Sequence, residues 1–332
     1  MSTRPLCLFS GTANRPLAHA IAQELGRPLG ASVTTHLPDS EVHVEVGDCV
    51  RGQDVFILQT CSQPVNDHLM ELLLYVDALR RASAHSITAV IPYFPYSRQE
   101  RMAQGREAIS AKVVATMLEA LGTSRVVFVD AHSPATQGFF NIPVDPLSAT
   151  PTIAKYFLDS RFENAAVVSP DVGRAKVAGK YAELLQLPLV VMHKRREEIG
   201  EAKVTHVVGD IAGKIPIVVD DIIASGSIMT ELETLVENGA KEEIYLAITH
   251  PVLLPQALAW LDNPLIKELV VTDTIAIPPE KMHPKLKVIS IAPLLAEVIK
   301  HIHEGISISY LLPKKQRGPL ADLLSAQEDT CT

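Results

Sequence analysis

The chain has 332 residues, of which 47% are hydrophobic and 20% charged, which is enough for two globular domains and excludes a disordered protein. The formal net charge of −8 argues against a surface that binds nucleic acid or an anionic membrane. Four scattered cysteines and the lack of an apolar run near the ~20 residues of a membrane span predict a cytoplasmic protein that crosses no membrane.

The first half of the chain carries a strand–helix–strand–helix–strand unit. Apolar runs at 55–60, 87–92 and 125–130 are typical of buried strands, and helical patterns lie between them at 66–81 and 110–121. The alternation of strands and helices predicts an α/β fold with mainly parallel sheets flanked by helices.

The second half repeats this unit. Predicted strands at 216–221, 244–249 and 268–273 alternate with predicted helices at 228–237 and 254–261. The self-similarity indicates that one α/β domain was duplicated, although two such units can also resemble each other by chance.

Turn residues cluster between Pro146 and Pro151, where we place the boundary between the copies. The sequence therefore predicts an N-terminal domain at 1–148, a C-terminal domain at 149–312 and a tail extension at 313–332.

A candidate sugar-phosphate site follows the first strand of the second copy. Asp220 and Asp221 end an apolar run and can accept hydrogen bonds from ribose hydroxyls. Ser225, Gly226 and Ser227 then offer hydroxyl and backbone N–H groups to a phosphate before a helix begins. The alternative is an ordinary strand–turn–helix with two solvated acids. The first copy lacks the acid pair, so we expect its domain to bind a different ligand.

Three further segments place polar residues after predicted strands. Arg98 and Gln99 can contact phosphate, or lie in a solvated surface loop. His132 can face magnesium or phosphate, or make structural hydrogen bonds. Asp171 can hold Mg²⁺ after the strand at 165–169, or cap the following helix.

A run of cations at 194–196 lies in a predicted loop. Such a loop can close over a polyphosphate and neutralise charge during phosphoryl transfer, or it can be a solvated charge run. No GxxxxGK[ST] or GxGxxG motif is present, so ATP would bind in another way.

Together these segments closely resemble the class I ribose-phosphate pyrophosphokinase (PRPP synthetase) family from about Leu6 to Leu312. The segments that carry the resemblance include Phe9-Ser10-Gly11, Asn66-Asp67-His68, Pro92-Tyr93-Phe94-Pro95-Tyr96, Arg98-Gln99, Ser169-Pro170-Asp171, Lys194-Arg195-Arg196, Asp220-Asp221 and Ser307-Ile308-Ser309-Tyr310. The resemblance implies two tandem phosphoribosyltransferase-like domains. It also implies transfer of the diphosphoryl group of Mg·ATP to the C1 hydroxyl of ribose 5-phosphate, which gives PRPP and AMP.

The resemblance also implies a role for each matching residue. Lys194 and Arg196 would stabilise the transferring group, and His132 and Asp171 would be associated with Mg²⁺. Ribose 5-phosphate would be bound by Asp220, Asp221, Ser225, Gly226 and Ser227, and ATP by Asp39, Glu41, Arg98 and Gln99.

In the family, the loop that matches Asp39 and Glu41 comes from a neighbouring subunit, which implies a homo-oligomer, expected to be a hexamer. Phosphate and ADP would act as effectors at a site matched by Arg51, Arg106, Ser307 and Ser309.

The chain departs from the family pattern at Leu37, where an aromatic is usual, at Glu100, and in the loop after Asp221. That loop is one residue shorter and lacks an acid at Ala224, so an N–H of the phosphate nest can be aimed differently. Two alternatives therefore stay open: a non-catalytic subunit that assembles with a true synthetase, and a phosphoribosyltransferase that consumes PRPP.

Overall fold

The computed structural model describes residues 4–160, 162–195, 203–225 and 229–311, with residues 194–195, 203–205 and 229–230 described by their backbone alone. In the first half the strands are β1 (Leu6–Ser10), β2 (Ser32–His36), β3 (Val42–Val46), β4 (Asp54–Leu58), β5 (Ser86–Ile91), β6 (Arg125–Val129) and β7 (Val144–Leu147). The helices are α1 (Arg15–Glu24), α2 (Val65–Arg81), α3 (Ser110–Leu121) and α4 (Thr150–Ser160).

The second half has strands β8 (Ala165–Ser169), β9 (Leu189–Arg195), β10 (Lys203–Val208), β11 (Ile215–Ile223), β12 (Ile244–Pro251), β13 (Ile266–Thr272) and β14 (Leu286–Ile289). Its helices are α5 (Ala175–Leu185), α6 (Met229–Glu237), α7 (Pro255–Trp260) and α8 (Ala292–Glu304). None of the helices in the described ranges is long and apolar enough to cross a membrane.

Two parallel sheets confirm the predicted fold class. The first has the order β1-β4-β5-β6-β7, and the second has the order β10-β9-β8-β11-β12-β13-β14. Every pair in the first sheet is parallel, and only β9–β10 is antiparallel in the second. Inner strands such as β4 and β8 are buried on both faces, which explains why they read as continuous apolar runs in the sequence.

The two sheets repeat one design. Strands β8-β11-β12-β13-β14 follow the same order as β1-β4-β5-β6-β7. In each copy an aspartate follows the equivalent strand, β6 or β13, and accepts a hydrogen bond from the backbone N–H just before the copy's last helix. Asp130 accepts from Ala149 at 3.0 Å, and Asp273 accepts from Ile291 at 2.8 Å. These equivalent contacts support the predicted duplication.

The halves share a core because each sends its last helix to the other. Helix α4 follows the first sheet but packs against α5, and α8 follows the second sheet but packs against α1. One apolar cluster runs continuously from Leu6 to Ile308 through both halves. The boundary at 148/149 stays a prediction, since the core does not divide there.

The predicted element boundaries agree closely with the structure in several places and fail in two. Helix α3 and strand β8 have the predicted ends, and α3 stops at Gly122, whose φ of 99° is left-handed. Strand β11 runs two residues past the acid pair, because its ladder with β12 continues to Ile223 and Pro251. Lys194 and Arg195 belong to strand β9 rather than to a loop.

Candidate functional site

The carboxyl ends of the two sheets face each other and are joined by buried hydrogen bonds. Just past β4, the Thr60 hydroxyl donates to the backbone oxygen of Thr274 at 2.8 Å. The Thr249 hydroxyl, on β12, donates to the carboxylate of Asp130 at 2.8 Å. Since ligands of parallel α/β sheets bind outside the carboxyl ends of strands, the candidate site lies in the cleft between the two halves.

A cluster of four side chains from both halves lies in this cleft. Asp221 is 8% exposed and contacts His132 Nδ1 at 2.8 Å and Arg174 Nη2 at 2.7 Å. Arg174 Nε lies 3.3 Å from an oxygen of Asp220. Strand β8 reaches only as far as Val218 along β11, so the edge of β11 that carries the acids is open to the turn with Arg174. We refer to these four residues as the acid cluster.

The two acids differ in their protonation. Burial and the neighbouring charge of Asp221 raise the pKa of Asp220 to about 8. Burial also acts to raise the pKa of Asp221, but the hydrogen bond from His132 and the charge of Arg174 outweigh it and hold that pKa below its ordinary value. Asp221 is therefore the charged member of the pair at neutral pH.

Arg174 holds His132 as well as the acids. It donates to the backbone oxygen of His132 at 3.2 Å, and its Nη2 lies 2.5 Å from His132 Nδ1. One ring nitrogen cannot accept from Arg174 and donate to Asp221 in the same state, so the imidazole has two alternative partners.

Asp171 acts as a cap in this structure. Its Oδ1 accepts a hydrogen bond at 2.9 Å from the backbone N–H of Arg174, at the start of a short 3₁₀ turn. The capping interpretation of Asp171 is therefore observed, and its association with Mg²⁺ stays a proposal. The cap fixes the turn from which the Arg174 side chain reaches the acid cluster.

Arg98 and Gln99 lie on the first-sheet side of the cleft. Gln99 accepts from the Ser110 hydroxyl at 2.7 Å, which ties the segment to the start of α3. Burial raises the pKa of Tyr93, the charge of Arg98 lowers it and the charge of Asp221 raises it. The charges of Arg98 and Asp221 therefore both shift the pKa of Tyr93, from opposite halves of the cleft.

Asp39 and Glu41 lie at the tip of the β2–β3 hairpin. Both are exposed, and the backbone N–H of Glu41 contacts Asp39 Oδ1 at 3.3 Å within the tip. The four residues of the predicted effector site are also exposed. Arg51 and Arg106 lie in surface turns, and the hydroxyls of Ser307 and Ser309 are 3.0 Å apart.

Several predicted residues are only partly described. Ser225 is exposed just beyond β11, while Gly226 and Ser227 lie outside the described residues. Lys194 is described by its backbone in β9, and Arg196 lies outside. The predicted tail at 313–332 lies outside as well.

Sequence reasoning did not assign a role to three residues that the structure brings to the cleft. They are Arg174 in the acid cluster, Tyr93 after β5, and His250, whose ring centroid lies 5.0 Å from that of Tyr93. The signal for Arg174 was its place three residues after Asp171, and for His250 its place at the end of a repeat strand.

Comparison with known proteins places these features in one family. Residues 6–122 match the N-terminal domain of ribose phosphate pyrophosphokinase, and residues 200–313 match the phosphoribosyl synthetase-associated domain. Ribose-phosphate pyrophosphokinase of Caldanaerobacter subterraneus is 47% identical over 311 residues, which are 93% of this chain and 98% of the relative. The Bacillus subtilis protein of that name is 46% identical over 92% of this chain and 96% of its own length. The crystal structure of phosphoribosylpyrophosphate synthetase from Mycobacterium smegmatis superposes with a TM-score of 0.85 at 40% identity, covering 91% of this chain and 100% of that one.

Proposed function

The chain belongs to the ribose-phosphate pyrophosphokinase family, and we propose that the cleft at the acid cluster is where it transfers the diphosphoryl group of Mg·ATP to the C1 hydroxyl of ribose 5-phosphate, giving PRPP and AMP. The observation that carries this placement is the 2.8 Å contact between His132 of one half and Asp221 of the other. Phosphoryl transfer needs positioning and charge neutralisation more than covalent chemistry, and a cleft lined by two separate domains provides both.

The acid cluster is chemically suited to Mg²⁺. Within the described ranges no three His, Cys, Asp or Glu side chains are grouped to hold a metal by themselves. Mg²⁺ usually takes one or two carboxylates together with water and substrate phosphates, and Asp220 and Asp221 offer such oxygens beside His132. His132 and Asp171 would hold the ion together with ATP, and it would neutralise phosphate charge.

ATP would lie on the first-sheet side of the cleft. Arg98 is exposed, its charge acts on Tyr93, and it can donate charged hydrogen bonds to phosphate, while a hydrogen bond from Ser110 holds Gln99 beside it. Asp39 and Glu41 would reach the adenine from a neighbouring copy, for which their exposure at a hairpin tip is suitable. This arrangement would require a homo-oligomer, and we expect a hexamer.

Ribose 5-phosphate would lie on the second-sheet side. Asp220 and Asp221 would accept from its hydroxyls, and Ser225, Gly226 and Ser227 would surround its phosphate. Strand β9 pairs with β8 only up to Val191, so its last residues extend beyond the carboxyl edge of that neighbour. Lys194 is one of these residues, which favours the proposal that Lys194 and Arg196 act on the transferring group.

Two finer proposals concern control and location. Phosphate and ADP would act at the exposed site formed by Arg51, Arg106, Ser307 and Ser309, where a second copy can complete the contacts. We expect the enzyme to act in the cytoplasm, where nucleotide substrates are available and free thiols such as Cys61 stay reduced.

The test is ³¹P NMR of the purified chain with Mg·ATP, ribose 5-phosphate and phosphate. We expect PRPP and AMP to appear together and Lys194→Ala to lower turnover by orders of magnitude. The matched control is Lys214→Ala, because Lys214 pairs with the exposed Asp210 at 2.5 Å and lies before β11, at the opposite end of that strand from the acids. Equal turnover in the two variants would remove Lys194 from the mechanism. Absence of both products from the wild-type chain would favour a non-catalytic subunit that needs a partner synthetase.

A further inference from the structure

A buried histidine, His250, lies on the seam between the two sheets. It is 2% exposed and is the next-to-last residue of β12. Its Nε2 lies 3.2 Å from the backbone oxygen of Asp130, and its Nδ1 lies 3.0 Å from the hydroxyl of Thr274. The histidine therefore joins the end of β6 in one half to the end of β13 in the other.

The chemistry of its partners fixes the tautomer of His250. A carbonyl oxygen only accepts, so Nε2 carries the proton and donates to Asp130. Nδ1 then has a free lone pair, which accepts a hydrogen bond from the Thr274 hydroxyl. The backbone oxygen of Thr249 stays satisfied, because the Thr272 hydroxyl donates to it at 2.7 Å. Burial lowers the pKa of His250, which keeps this ring neutral.

The segment that His250 contacts is the one that presents His132. Asp130 has a φ of 37°, in the left-handed region that a residue other than glycine rarely adopts. Adjacent residues of β12 hold it twice, since Thr249 donates to its carboxylate and His250 to its backbone oxygen. Two residues later His132 meets Asp221. Strained backbone of this kind persists only where its surroundings enforce it.

We propose that His250 is a positioning residue for diphosphoryl transfer. By donating from Nε2 to the backbone of Asp130, it holds the Asp130–His132 segment in the register at which His132 reaches Asp221. This inference rests on the proposed placement of the reaction at the acid cluster. Because displacement of a reacting group by about 1 Å can cost about 10²-fold in rate, a residue without substrate contact can control turnover here.

The experiment compares steady-state kinetics of His250→Leu, His250→Gln and Thr60→Val in the full-length protein. Leucine keeps apolar volume but removes both hydrogen bonds, whereas the glutamine amide can still donate to Asp130. Thr60→Val is the matched control, because it deletes another buried hydrogen bond between the halves, to the oxygen of Thr274, without touching Asp130.

We expect kcat of His250→Leu to fall about 10–100-fold with each KM within about threefold of wild type. His250→Gln should recover most of the loss, and Thr60→Val should keep kcat within about threefold. If His250→Leu does not fold, Thr274→Val removes the donor to Nδ1 and should lower kcat less severely. Equal kcat values for His250→Leu and Thr60→Val, or no recovery with glutamine, would overturn the positioning role. Unchanged kcat in His132→Ala would instead overturn the proposed site itself.

Discussion

Arg174 is the residue whose removal should test the acid cluster most directly. The substitution Arg174→Met keeps a long apolar stem but deletes the charge that contacts Asp221 at 2.7 Å and Asp220 at 3.3 Å. The side chain of Arg174 is 14% exposed and that of Asp221 is 8% exposed, so water screens their interaction little. The matched control is Arg125→Met, because Arg125 pairs with the similarly buried Asp145 at 2.6 Å in strands β6 and β7.

Breaking a buried ion pair by removing one partner costs roughly 3–5 kcal/mol, because the remaining charge stays buried without compensation. We take the lower end, about 3 kcal/mol, since Asp220 is partly exposed and its raised pKa leaves it largely uncharged at neutral pH. For a folded unit of about 300 residues, with an unfolding entropy of about 2.1 cal/mol/K per residue, this corresponds to a decrease in Tm of about 5 °C. Arg125 is more exposed, at 32%, so its variant should lose less.

The loss of stability should also depend on pH. In the wild type the folded-state pKa of Asp221 is lowered, so its contribution to stability is present above the unfolded value near 4 and is lost on acidification through the lower folded value. Without Arg174, one of the charges that hold this pKa down is lost, so the folded-state pKa of Asp221 is higher in the variant than in the wild type. The difference in Tm between wild type and variant should therefore be largest near neutral pH and shrink as the pH falls toward and below the unfolded value near 4.

Calorimetry at several pH values and steady-state kinetics give the two readouts. We expect Arg174→Met to lower kcat about 10²-fold or more, because His132 and both acids lose their common partner, whereas Arg125→Met should keep its kcat. A variant at Arg174 that retains both kcat and Tm would show that the cluster contributes neither to stability nor to catalysis.

Three further predictions need only stability or labelling measurements. Because burial lowers the pKa of His250, the unfolded chain takes up a proton below about pH 6.5 that the folded chain does not. Below that pH the free energy of unfolding, measured with urea, should fall more steeply for the wild type than for His250→Gln, by up to about 1.4 kcal/mol per pH unit. Gly179→Ala in α5 should raise the free energy of unfolding by about 0.5–1 kcal/mol, because an added Cβ meets nothing within 4 Å. Gly30→Ala should lower it by about 1–3 kcal/mol, because the added Cβ would lie 2.5 Å from a buried phenylalanine ring. Exposed Cys49 should react with a thiol reagent at pH 8, whereas Cys61, whose pKa burial raises strongly, should react only after unfolding; mass spectrometry of the labelled peptides distinguishes them.

The periodicity of the sequence predicted the layers of the fold because buried parallel strands and amphipathic helices have different repeats. Helix α3 was placed correctly from Ser110 to Leu121, since Gly122 ends it locally. The end of β11 was misplaced because pairing with β12 carries the strand past Asp221. The length of a ladder depends on a partner that is distant in sequence, which a local pattern does not contain.

The candidate site was predicted residue by residue, but its assembly was not. Nothing near His132 in the sequence shows that it meets Asp221, which lies 89 positions away. Arg174 was read only as part of a turn, because its importance comes from two acids on a neighbouring strand. The partners of Asp39 and Glu41 would belong to another copy of the chain, so one chain alone does not test that prediction.

The ladder registers show how the two sheets differ at equivalent strand ends. When the sheets are aligned on the equivalent Asp130 and Asp273, the registers make Tyr93 the counterpart of His250 and Thr60 the counterpart of Asp221. The first pair of counterparts meets across the seam, with ring centroids 5.0 Å apart, so the halves face each other through equivalent strand ends. At the second position the copies differ, because Thr60 donates a buried hydrogen bond to the opposite half while Asp221 contacts His132. The strand end at Thr60 therefore contributes to the interface between the halves, and among the described residues the acid pair lies only at the equivalent strand end of the second sheet.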